Sequence, residues 1–130
     1  MNRLLAVTLG ILMLGAISVL SHHSFAGYDR NTTTFEARVE SMRIENPHSV
    51  IAMRGADGQR YVVIWVAAAQ LRQFFPAEGP DSVTELIKLG EWLTVTGRFK
   101  RDTEVIEVAA GRFVHRSRGQ IYPKPLKPAN

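Results

Sequence analysis

The residues of this chain best suited to chemistry are its four histidines, His22, His23, His48 and His115. Neutral imidazole is a common protein ligand for copper, zinc and nickel. There is no cysteine, so a thiolate metal site and a disulfide framework are both excluded. His22 and His23 are adjacent, and they follow an uncharged apolar run where an export signal would be cut. A chain that begins at His22 offers a metal two nitrogens from one residue, the free amine and the ring. His48 follows Asn46-Pro47, a stiff turn that would hold a third nitrogen still.

Together His22, His23 and His48 form a candidate metal site. An amine with imidazoles is similar to the histidine brace of copper proteins, and nitrogen sites of this kind favour Cu(II) over Zn(II). A free α-amine titrates near pH ~8, so a metal can displace its proton at ordinary pH. Asp29 is either a further ligand, a partner that orients a ligating histidine, or an ordinary loop aspartate. His115 lies among Arg112, Arg116 and Arg118, whose charge disfavours a cation, and is expected on the surface.

Nothing in the sequence points to catalysis. There is no G-x-S-x-G, no phosphate-binding loop and no H-E-x-x-H. Glu104 and Glu107 read as solvent-facing strand positions. Copper-dependent oxidation at a histidine brace is the one enzymatic alternative. Trp65, Trp92, Tyr61 and Phe99 could stack bases or sugars, with Arg54, Arg60 and Arg98 beside them. The segment from Tyr61 to Val66 is so apolar that a core role is favoured over a platform.

These residues need elements to position them. Residues 1–21 read as a signal peptide: Arg3 opens it, Leu4 to Leu14 is apolar, and Val19 and Ser21 suit the positions before a cut. A cut after Ser21 is favoured over one after Ala26, and over retention of the run as a membrane anchor. It is slightly shorter than the ~20 residues that span a bilayer. The expected location is the periplasm or the medium, with contact to a membrane only if the segment stays uncut.

Phe35, Ala37 and Val39 alternate with Glu36, Arg38 and Glu40, the period of a half-buried strand. The phase slips near Ser41, which predicts a β-bulge. Residues 48–54 form a second strand, 55–58 a glycine hairpin turn, and 59–66 a third, central strand. Ala67, Leu71, Phe74 and Phe75 share one face of a helix that stops at Pro76. Ser82 and Glu85 read as the capping box of a second short helix, closed by Gly90. Leu93, Val95, Gly97 and Phe99 mark a fourth strand with a bend at Gly97. A fifth runs from 105 or 106 to Ala110 and on toward Val114.

Three strands, a helical connection and two strands is the order of a mostly β, five-stranded OB-like Greek-key barrel. An open α+β sandwich is the alternative. Inward faces are expected from Phe35, Val39, Val50, Val63, Leu71, Leu93, Val95, Ile106 and Val108. The domain is read as 22–115, followed by a basic, proline-rich tail over 116–130. Net charge is +4. The excess is concentrated in that tail, where Arg116, Arg118, Lys124 and Lys127 occur without an acid. The folded part is nearly neutral, which argues against nucleic acid as a partner.

His22-His23-Ser24-Phe25, Tyr28-Asp29, Asn46-Pro47-His48, the Asp57-Gly58 hairpin, Trp65, and Leu89-Gly90-Glu91 before Val95-Thr96-Gly97 carry a resemblance. From His22 to about Val114 the chain resembles the domain of unknown function 6152 family of small exported bacterial proteins. The resemblance implies export and an OB-type barrel, and it places His22, His23 and His48 at family-type positions. It implies no activity. The chain departs from the family pattern at Ile44, where an aromatic residue is common, and at Val66-Ala67, where an acid is common. The function expected is a non-enzymatic exported domain that binds a small ligand, copper foremost. The alternative is a protein-interaction or envelope-stress module that binds a peptide or protein partner.

Overall fold

The structure is a computed structural model that describes residues 26–101 and 104–125. The signal segment, His22 and His23 lie outside the described residues.

Strand β1 (Thr32–Arg43) serves both halves of the sheet. Its first part pairs with β4 (Trp92–Arg101), from Thr32 opposite Arg98 to Arg38 opposite Trp92. Its second part pairs with β2 (Ser49–Arg54), ending with Arg43 opposite Val50. The register shifts between Val39 and Ser41. This is the bulge that the phase slip predicts, and its extra residue bends β1 between its two partners. β2 returns as β3 (Arg60–Trp65) through the glycine hairpin, where Gly55 N–H donates to the Gln59 carbonyl at 2.8 Å and Gly58 adopts φ 85°. β5 (Val105–His115) runs antiparallel to β4 and parallel to β3, with Ile64 opposite Ala109.

The β3–β5 pairing closes a five-stranded mixed barrel, the OB-like form expected from the strand order. Gly97 lies opposite a bulge in β5, whose extra residue is Gly111, and an added Cβ at Gly97 would come 2.5 Å from the Ala109 carbonyl oxygen. A side chain there would force the two strands apart. A sixth strand, β6 (Gly119–Tyr122), pairs with β5 from Phe113 to His115, beyond the point where β3 leaves it. It lies inside the segment read as a tail. Three polar or charged residues precede it, and its single buried side chain, Ile121, gives too little alternation to register as a strand.

The barrel interior holds Val39, Ile51, Met53, Val63, Leu93, Val95, Val108 and Phe113. Phe35 and Ile106 pack partly buried against them. Val50 departs from expectation. Ser49, Ile51 and Met53 take the inward positions of β2, so Val50 faces outward and is only half-buried. β2 carries apolar residues on both faces, and hydrophobicity alone cannot set the phase of such a strand.

The connection between β3 and β4 is less helical than its pattern. α1 (Ala68–Leu71) is a single turn, extended by Phe75 N–H donating to the Leu71 carbonyl at 2.8 Å. Leu71 and Phe75 are buried, whereas Phe74 is 52% exposed. α2 (Val83–Leu86) begins after Ser82, but no capping bond forms from that side chain, whose hydroxyl meets the Thr84 hydroxyl at 3.2 Å. Gly90 (φ 84°) then turns the chain and donates to the Val39 carbonyl at 2.7 Å. No helix among the described residues is long and apolar enough to cross a membrane.

Candidate functional site: a groove across the outer face

Side chains that face outward from the barrel form a row in register. Val50 on β2 stands opposite Ile64 on β3, Ile64 opposite Ala109 on β5, and Ala109 opposite Arg98 on β4. Val50, Ile64 and Ala109 are half-buried, so the row has an apolar floor that is neither core nor open surface. Over it lies a groove of about 840 Å³. That volume is within the range of small-ligand sites. His48, Pro47 and Gln70 line its β2 side, and Tyr28 and Glu107 line its β5 side.

His48 is placed by the loop between β1 and β2. Asn46 Oδ1 accepts from Ala69 N–H at 3.1 Å, and the Glu45 carbonyl accepts from Ala68 N–H at 3.0 Å. Ser49, fully buried, accepts from Glu45 N–H through its hydroxyl at 3.3 Å and donates its own N–H to Val66 at 3.2 Å. The loop is thereby tied to the start of α1 and the end of β3. The His48 side chain is exposed at the groove margin. This agrees with a turn that holds the residue still, although the stiffness comes from these four bonds as well as from proline.

On the β5 side, residues 26–31 form a strap before β1. Asp29 N–H donates to the Phe99 carbonyl at 2.8 Å, and the Tyr28 hydroxyl donates to the Glu107 carboxylate. The Lys100 ammonium lies 5.8 Å from the Tyr28 ring centre. Burial, the bond to Glu107 and the Glu107 charge all hold the Tyr28 phenol above the usual tyrosine range. Glu107 is therefore half-buried and engaged, not the solvent-facing strand residue its pattern indicates. Asp29 is an exposed residue whose backbone does the work. The Tyr28–Glu107 pair spans 79 positions, and no local pattern could have joined them.

His115 also departs from expectation. Its side chain is 14% exposed, and its Nε2 lies 2.7 Å from Glu91. Its Nδ1 accepts the Ser117 N–H at 3.1 Å. Arg118 binds the same Glu91 carboxylate and the Leu86 carbonyl. The arginine-rich neighbourhood that appeared hostile to a cation is balanced by an acid from the β4 approach, distant in sequence.

The aromatic side chains divide between two core clusters. Tyr61 stacks on Phe35 at 4.1 Å with Phe99 near both, while Trp65 meets Phe113 and Tyr122 edge-on at 4.8 and 5.2 Å. Trp92 stands apart from both clusters and is 37% exposed, so the four residues form no platform. The Trp65 indole N–H is buried without an acceptor among the described residues. Arg54 is occupied by Glu40 at 3.1 Å.

Among the described residues no three histidine, aspartate or glutamate side chains gather in a way that could hold a metal ion. Of the expected ligands, His48 is located and His22 and His23 fall outside the described residues. In comparisons with known proteins, no family model, no curated protein and no solved structure matches the chain.

Proposed function

We propose that this domain is an exported, non-enzymatic binding module. Its outer groove takes a small ligand, and His48 with His22 and His23 holds a transition-metal ion, Cu(II) foremost, at the margin of that groove. The observation that carries this reading is the placement of Tyr28 and His48 on the same groove. Glu107, to which Tyr28 is bonded, lies two strand spacings from β2, about 10 Å across the sheet. It is level with Val62 and Ala52, four residues or about 13 Å along the strand from His48, which makes about 16 Å in all. The five peptide units from His23 to Tyr28 reach at most about 18 Å. Covalent length therefore permits one ion to touch both. The resemblance to the domain of unknown function 6152 family supports the same histidines and an exported location.

The test is a Cu(II) titration of the protein as exported by its host, with the N-terminus fixed by intact mass. His48→Ala is expected to lower affinity at least tenfold. Affinity should also fall as the medium is acidified and the nitrogen ligands take up protons. Equal affinity in wild type and His48→Ala, or a mature chain that begins after His23, overturns the metal site.

A second reading is favoured by the half-buried apolar row Val50–Ile64–Ala109, which suits the apolar side chains of a peptide or protein partner. It takes the lead if Cu(II) does not bind.

A further inference from the structure

The walls of the groove are not held equally. β2 and β3 share a six-residue ladder from Ser49–Trp65 to Arg54–Arg60, and β3 and β5 a five-residue one from Arg60–Val105 to Ile64–Ala109. The strap over the β5 side is different. Among the described residues it is held by the backbone bond from Asp29 to Phe99, the side-chain bond from Tyr28 to Glu107 and the Lys100 ammonium over the Tyr28 ring. Gly27, at φ 84°, folds the chain closely over the Lys100 side chain, where an added Cβ would stand 3.2 Å from its Cε. Elements with few bonds open at the low end of a protein's stability range, ahead of its core.

We propose that the hydrogen bond from Tyr28 to Glu107 is a latch, and that its release lifts the strap and opens the β5 side of the groove to ligand. The inference rests on the groove being the ligand site, and it adds how that site is entered. Glu107 is the fixed half of the latch: it sits in β5 between Val62 of β3 and Lys100 of β4, both in register with it. Tyr28 is the mobile half, because its backbone belongs to no strand. Lifting it uncovers the Glu107–Val62 part of the floor and extends the groove toward the hairpin, adding the apolar Val62 and the freed Glu107 carboxylate.

Hydrogen exchange and 8-anilinonaphthalene-1-sulfonate fluorescence test the latch without knowledge of the natural ligand. In Tyr28→Phe the ring stays and the bond is lost. Exchange at the Asp29 amide is expected to rise about ten- to hundredfold, as for loss of a bond to a charged acceptor, with brighter dye fluorescence. Amides of Val63 and Val108 should keep their wild-type rates. Glu107→Ala should reproduce both effects. No change at Asp29, faster exchange at Val63 and Val108 as well, or an effect in only one of the two variants overturns the latch. A Cu(II) titration of the same samples separates the two ideas: no binding, with the exchange signature present, removes the metal reading and leaves the latch.

Discussion

Two histidines on this barrel occupy opposite kinds of neighbourhood. His115 has both ring nitrogens engaged, Nε2 with Glu91 and Nδ1 with the Ser117 amide, and Arg118 closes the cluster over the same carboxylate. His48 is exposed at the margin of a groove, and the bonds that fix its loop are made by Glu45, Asn46 and Ser49. The first region spends its polar groups on itself and reads as structure. The second is held in place by its neighbours, and among the described residues the His48 ring makes no hydrogen bond.

The largest expected effect comes from the barrel beneath the closed region. Leu93 is fully buried and stands opposite His115 in the β4–β5 ladder. Leu93→Ala should cost about 2–5 kcal/mol in urea unfolding, through lost contacts and a cavity. A loss below about 1 kcal/mol would mean that the fourth strand does not pack as described.

Glu91→Ala and His48→Ala sharpen the contrast directly. Glu91 is partly exposed, and its removal strips a partner from both His115 and Arg118, so a loss of about 1–2 kcal/mol is expected. His48→Ala should change stability by no more than about 0.5 kcal/mol, as for surface positions outside any network. Equal losses in the two variants would erase the distinction. Copper titration gives the reciprocal pattern, with His115→Ala binding as wild type does.

The smallest effect concerns the strap. The Tyr28 phenol is held above the ordinary tyrosine range by burial and by Glu107. Its neutral form is favoured in the fold, so the associated stability is present below the unfolded tyrosine pKa of about 10 and is lost as the pH rises above it. Tyrosine absorbance near the alkaline limit should show a late phenol that Tyr28→Phe removes. Burial and Asp57 raise Tyr61 as well, so that variant is the control that assigns the late step.

Much of the scaffold was legible because local chemistry carries it. The phase slip at Ser41, the glycines of the 55–58 hairpin and the apolar run of β3 each reflect backbone geometry imposed on a few adjacent residues. Where two solutions had similar local patterns, the sequence was ambiguous. Val50 and Ile51 are both apolar, and only the closed barrel decides that Ile51 goes in. Phe74 falls on the predicted helical face, yet the helix is one turn long and leaves it exposed.

The site divides along the same line. Histidine chemistry, the stiff turn before His48 and the exclusion of thiolate ligands follow from residue types and their spacing alone. The groove does not. Its floor joins β2, β3, β5 and β4 through pairings that include the β3–β5 closure, and its strap joins residues 79 positions apart. Contacts of that range are set by how the sheet curls and closes, and by which faces are left outside once the core is full.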